Sequence, residues 1–319
     1  MVQPSANDCR FPLGLALGSG AARGLAHIGV LKVLEEAKIP VHLVTGTSIG
    51  AFIGALYAAG VPVAQMEAAA REIDWRHMAR LIDPVLPTSG LIDGKKLVEF
   101  MSDLLPVRTF EQLNLPLAIT ATDIQSGEAI IIKQGNLLEA LRASLAFPGI
   151  FSPVRFGKRH LVDGGLCNPV PVDIARVLGA KHIVGVCTIP KVTKDAPETF
   201  LPMKSTVTLP DKSWRDLFSA HTIERAIRQF LTDRPITSAE DELEEKMPNI
   251  FKICAQSVAI MENEINDLRL RLNEHDLLLR PALDDITLLE FHRADEIMTA
   301  GEAAAREKLP ELRSLAEKD

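Results

Sequence analysis

Ser48 stands inside Gly46-Thr47-Ser48-Ile49-Gly50, directly behind the apolar run Val41-His42-Leu43-Val44 and ahead of Ala51-Phe52-Ile53-Gly54-Ala55-Leu56. Strand, tight turn and helix in that order throw a hydroxyl outward from a sheet edge. The flanking glycines suit such a turn because side chains there would strike the strand and the helix. The pattern fits a nucleophilic serine. It also fits a glycine-rich strand-to-helix turn carrying an idle serine, and nothing inside the motif separates the two readings.

Upstream lies a second loop of small residues, Gly18-Ser19-Gly20-Ala21-Ala22-Arg23-Gly24, again between an apolar run and a helical stretch. Backbone N–H groups at a helix start gather anionic charge. A dinucleotide pyrophosphate is one such charge, but the third glycine of the G-x-G-x-x-G pattern is Arg23 here, and no acid ends the next strand. A P-loop is also absent, since no Gly-Lys-Ser/Thr follows. The other use is an oxyanion hole, in which N–H donors meet the charge created when a serine attacks an ester; one such donor is worth about 3–4 kcal/mol in the transition state. If the first two strands are parallel neighbours, this loop faces Ser48, with Gly20 and Ala21 N–H as its donors. Arg23 either orients the loop or is an ordinary surface arginine.

A serine nucleophile needs a base. Of the eight histidines, His27 and His42 fall within a helix and a strand, His77 and His221 in helical stretches, and His160 inside a hairpin strand. His182, His275 and His292 have no glycine-rich or strand-end setting, so none completes a Ser-His-Asp triad. Asp163 ends an apolar strand and precedes Gly164-Gly165, a turn that could present a carboxylate to the serine as a direct general base. Taken alone, Asp163 reads more simply as an Asx turn closing a hairpin.

Positioning these groups requires a particular order of elements. Strands are predicted at Leu13–Leu17, Val41–Thr45, Leu117–Thr122, Ala129–Ile132, His182–Cys187 and Asp276–Arg280. A hairpin pairs Val154–Phe156 with His160–Val162. Helices are predicted at Leu25–Ala37, behind Ser48, and at Val63–Glu72, Lys95–Leu104, Pro171–Leu178 and Phe291–Leu309. Such alternation specifies an α/β fold with a mainly parallel central sheet covered by helices on both faces. Between Pro190 and Ile250, prolines and an acidic run mark a partly helical cap or insertion. It holds one helix near Trp214–Leu231, with Ser213 and Asp216 as caps. The next helix starts after Asn249 and carries Cys254, Val258, Met261, Ile265, Leu268 and Leu272 at heptad-like spacing. That stripe is expected to dock on the chain's own sheet, with a homodimer contact through residues 254–272 as the alternative. The organisation is then an N-terminal extension (1–12), a catalytic core (13–189), the insertion (190–250), completing elements (251–309) and a tail (310–319).

With 319 residues, a net charge of −7 and no polybasic stretch, the chain is a poor partner for nucleic acid or for electrostatic capture by anionic lipid. Its four cysteines form neither a metal pattern nor a disulfide framework, and a reducing cytoplasm is the simpler setting. No Asp, Glu, Lys or Arg occurs from Val41 to Met66, yet Gly46, Ser48, Gly60 and Pro62 break that run into a buried strand and helix rather than a span. No secretory signal is visible at the N-terminus. Any membrane contact is expected to be transient and peripheral, at an inner surface, through side chains such as Trp214, Leu217 and Phe218.

The Gly18–Gly24 loop, Gly46-Thr47-Ser48-Ile49-Gly50 and Asp163-Gly164-Gly165, in that order and spacing, resemble the patatin-like phospholipases, in particular a short bacterial branch similar to the catalytic part of neuropathy target esterase. Leu25-Ala26-His27-Ile28-Gly29-Val30-Leu31 and Ala143–Phe151 share the resemblance, which covers about Leu13–Val186 and Asp276–Ala304. It implies a Ser-Asp dyad: Ser48 as nucleophile in an elbow formed by Gly46 and Gly50, and Asp163 as base on the turn Gly164-Gly165. The loop of Gly18, Ser19, Gly20, Ala21, Arg23 and Gly24 becomes the oxyanion hole. Hydrolysis of phospholipid or lysophospholipid acyl esters without a metal or cofactor follows from the same likeness. Ser19 and Ala21 interrupt the usual glycines of that loop while keeping their N–H groups. A non-catalytic lipid-binding protein on the same fold, or a soluble carboxylesterase, stands as the alternative.

Overall fold

The computed structural model describes residues 10–73, 92–190 and 250–317. The expected insertion with its Trp214–Leu231 helix, its caps and its lipid-facing Trp214, Leu217 and Phe218 lies outside the described residues. So do His77, His221, Cys9 and the side chain of Cys254.

Strands β1 (Phe11–Leu17), β2 (Leu43–Thr47), β3 (Leu117–Asp123), β7 (Ala180–Val186) and β8 (Leu277–Leu279) form the parallel part of one sheet, in the order β3-β2-β1-β7-β8. Three antiparallel strands, β4 (Ala129–Ile132), β5 (Val154–Phe156) and β6 (Arg159–Asp163), join at the β3 end. β1 begins at Phe11, and β2 runs two residues later than the apolar pattern suggested, ending at Thr47.

Successive β1 side chains enter different cores. Leu13, Leu15 and Leu17 belong to one apolar cluster with Leu31 and Ile53, whereas Ala16 belongs to another with Val172, Ala175 and Leu270. This two-residue alternation means that both faces are covered, which is why the central strands read as unbroken apolar runs. One face carries α1 (Ala26–Glu36), α2 (Ile49–Ala58), α3 (Val63–Glu72) and α4 (Lys95–Leu104). Helices α5 (Leu137–Ser144), α6 (Val172–Val177), α7 (Ile250–Leu272) and α8 (Ala294–Glu307) complete the three layers. The expected tail is instead a further helix, α9 (Leu309–Glu317), with Leu312 fully buried.

The register of β3 matters most for the site. β3 pairs with β2 along Leu117–Thr120 and with β6 along Ala121–Asp123, while β4 runs along Ile119–Thr122 and overlaps both. Overlapping partners cannot share an edge, so β2 and β6 follow one another along one edge of β3, head to head. Thr47 lies opposite Thr120 and Asp163 opposite Ala121, which brings the C-terminal ends of β2 and β6 together.

The α7 helix departs from expectation. Its apolar stripe is only partly docked: Met261, Leu268 and Leu272 are 51%, 57% and 80% exposed, Val258 and Ile265 are half-buried, and the buried residues are Glu262, Asn263, Asn266 and Leu270. The reason is the surface that α7 meets, which is a rim of loops at the strand ends, with Leu270 reaching the second apolar cluster of the sheet. Asn263 Nδ2 donates to the Pro190 carbonyl, Asn266 Nδ2 to Cys187 Sγ at 3.2 Å, and Arg269 Nη1 to Asp173 Oδ2 at 3.2 Å.

Candidate active site

Ser48 takes φ 56°, ψ −124° between β2 and α2, a left-handed value that a non-glycine residue adopts only under constraint. The constraint is close packing. A Cβ on Gly46 would lie 2.5 Å from Ala51 Cα, and one on Gly50 would lie 2.3 Å and 2.4 Å from the carbonyl oxygens of Leu17 and Gly18. Ser48 N–H donates to Ser144 Oγ at 2.8 Å, and Ser144 Oγ donates to the Thr120 carbonyl at 2.7 Å, fixing the elbow to β3 through α5.

The head-to-head ends of β2 and β6 put Ser48 beside Asp163. Ser48 Oγ donates to Asp163 Oδ2 at 2.6 Å, and Gly165 N–H donates to Asp163 Oδ1 at 2.8 Å. Asp163 is therefore the cap of the Gly164–Leu166 turn as well as the serine's partner, and the two sequence readings of it coexist. A Cβ at Gly164 would lie 2.2 Å from the Thr120 carbonyl oxygen, so this turn too sits tight on β3. Burial pushes the Asp163 carboxyl up to about 6, against the pull of its hydrogen bonds from Ser48 and Gly165. No histidine hydrogen-bonds Ser48 or Asp163 among the described residues.

The Gly18–Gly24 loop lies at the same sheet edge because β1 and β2 are parallel neighbours. Its N–H groups divide cleanly. Gly18 donates to Val186 O, Ser19 to Pro169 O, Ala22 to Leu288 O and Arg23 to Gly20 O, at 2.9–3.2 Å. Gly20 and Ala21, both at positive φ, are left without an acceptor among the described residues and line the same pocket as Ser48. Thr188 Oγ1 donates to the Ser19 carbonyl at 2.6 Å and occupies the place a Gly20 Cβ would need. Arg23 is no idle surface arginine: its Nε donates to the Ile286 carbonyl at 2.6 Å. Gly24 lets the loop rest on Ile49 of the elbow, since a Cβ there would lie 2.1 Å from Ile49 Cγ2.

Sequence reasoning missed two groups. His27 Nε2 lies 2.8 Å from the Gly18 carbonyl, and burial lowers its pKa to about 4, which keeps the ring a neutral brace for the loop. Glu262 of α7 is 7% exposed and faces the pocket beside Asp163. The only hint in the sequence was Glu262, Asn263 and Asn266 on one helical face beside the apolar stripe.

From this polar end runs a cavity of about 210 Å³, walled by Phe52 and Leu56 of α2, Met66 of α3 and Leu97, Phe100 and Met101 of α4. Phe52 and Phe100 pack with ring centroids 6.3 Å apart. An apolar cavity with a serine in its lining suits an acyl chain whose carbonyl reaches Ser48. Among the described residues there is no cluster of metal-ligating side chains, and no helix is long and apolar enough to cross a membrane.

Fold and site together define an α/β protein with a serine at a strained strand-to-helix elbow, paired to a buried carboxylate. The profile of the patatin-like phospholipases matches residues 15–176, and the chain belongs to that family of lipid hydrolases. An NTE family protein of Mycobacterium bovis, itself titled uncharacterized, is 28% identical over 93% of this chain and 91% of its own length. A second NTE family protein, from Mycobacterium tuberculosis, is 30% identical over 93% of this chain and 46% of its own. Patatin-like phospholipase domain-containing protein 6 of Mus musculus is 40% identical over 54% of this chain, a stretch equal to 13% of that protein.

Proposed function

We propose that the protein hydrolyses carboxylic esters of phospholipids or lysophospholipids through a Ser48–Asp163 dyad and an acyl-enzyme. The observation that carries this reading is the 2.6 Å hydrogen bond from Ser48 Oγ to Asp163 Oδ2 in the lining of an apolar cavity. Asp163 takes the hydroxyl proton as Ser48 Oγ attacks the ester carbonyl, within the reach a general base requires. The oxyanion that forms meets the unpaired N–H groups of Gly20 and Ala21 and the orphan N–H groups at the start of α2. Asp163 then gives its proton to the leaving oxygen as the C–O bond breaks. In the second half a water loses a proton to Asp163 and attacks the acyl carbon, and the proton returns to Ser48 as the fatty acid departs.

Fatty acid release from defined phospholipids and lysophospholipids tests the reading. Wild-type protein is expected to release acid, Ser48→Ala and Asp163→Asn to lose at least about 10³-fold in kcat, and His160→Ala to keep its rate. Dependence on His160, or turnover by Ser48→Ala, would contradict the dyad. Transient peripheral contact with a membrane surface and a homodimer through the exposed face of the 254–272 helix belong to the same proposal; flotation with vesicles and a solution mass measurement check them.

A further inference from the structure

Glu262 enters the pocket from α7, away from the strands that carry the dyad, and no step above uses it. The residue is 7% exposed, and no described residue hydrogen-bonds its carboxyl. Gly165 makes room for it: a Cβ there would lie 2.3 Å from Glu262 Oε1 and 3.2 Å from Asp163 Oδ1, so both carboxyl groups crowd one small space. Two adjacent buried carboxyls do not both ionise readily. Burial and the charge of Asp163 push Glu262 up to about 8, with Arg23 pulling the other way. At neutral pH Glu262 is therefore mainly a neutral acid whose O–H no described residue accepts, which leaves that donor available to a ligand oxygen.

Its side of the pocket is set by the chemistry. The leaving oxygen of the ester must lie next to Asp163 to receive the proton, so a group crowded against Asp163 faces the leaving alcohol and not the oxyanion. We propose that Glu262 is a specificity-determining residue that donates a hydrogen bond to an oxygen on the leaving alcohol close to the ester, so that the site prefers esters of polyols over esters of simple alkanols. The inference rests on the hydrolase reading above.

The test compares two nearly isosteric substrates, 2-methoxyethyl decanoate and n-butyl decanoate, which differ by one ether oxygen that can only accept. Wild-type protein is expected to favour the methoxyethyl ester by about tenfold in kcat/KM, the worth of one neutral hydrogen bond. That preference should fade as pH rises through about 8, where Glu262 loses its proton between the charges of Asp163 and Arg23. Glu262→Gln keeps a donor and should hold the preference at every pH; Glu262→Leu should erase it. A preference that is absent in wild type, or unmoved by pH and by both substitutions, overturns the inference. Labelling of Ser48 by a fluorophosphonate separates the two levels: a labelled protein with no preference sinks only the role of Glu262, and an unlabelled wild type sinks the hydrolase reading with it.

Discussion

At the scale of single residues, the buried carboxylate of Asp163 is the group whose state controls the site. In the proposed mechanism its ionised form accepts the Ser48 proton, so kcat/KM is expected to rise about tenfold per pH unit up to about pH 6 and then level. Its effect on stability has the opposite sense. The folded pKa, about 6, is above the usual carboxylate value, so protonation favours the fold. That contribution is complete below about pH 4 and lost as pH rises through 6. Asp163→Asn should therefore be more stable than wild type at pH 8, by about 1–3 kcal/mol, with the gap closing toward pH 4. Thermal unfolding of both proteins across that range checks the sign; equal stability at both ends would mean that Asp163 is solvated in the native state.

At the scale of elements, the strands and helices that surround Ser48 were legible, and the way they meet was less so. Lys95–Leu104 and Ala129–Ile132 fall where their patterns placed them, because local periodicity and turn residues decide such segments. The meeting of β2 with β6 depends on pairing to β3 over Leu117–Asp123, far from Ser48 in sequence, and no local pattern encodes it. The α7 helix shows the limit most clearly. An apolar stripe at heptad spacing ordinarily marks the docked face, yet here loop carbonyls, Cys187 and Asp173 select the polar one. Replacing Met261, Leu268 and Leu272 together by Ser should change the unfolding midpoint of the single chain by less than about 2 °C, since little apolar area leaves a buried setting. Asn266→Leu, on the docked side, should lower it. The reverse ranking would show that the stripe is the buried face.

Over the whole molecule, the C-terminal segment holds the Gly18–Gly24 loop in place. α1 and α8 approach so closely that a Cβ on Gly29 would lie 2.0 Å from the Met298 carbonyl oxygen, and one on Gly301 would lie 2.0 Å from that of Ala26. α1 follows directly from the loop with the free Gly20 and Ala21 N–H groups, and Leu288 and Ile286 carbonyls accept from Ala22 N–H and Arg23 Nε in that loop. Gly301→Ala, some 250 residues from Ser48 in sequence, is therefore expected to destabilise the protein by about 1–3 kcal/mol and to lower kcat more than it changes KM. Unchanged kcat in that variant would mean that the loop does not depend on α8.

The central claim is that Ser48 carries the acyl group between two half-reactions. Rapid quenching of the protein with a lipid ester, followed by mass analysis of the peptide containing Ser48, tests it directly. The account predicts an acyl adduct on Ser48 that forms and decays at the rate of turnover and accumulates in no Asp163→Asn sample. An adduct on another residue, or turnover with none on Ser48, would contradict it.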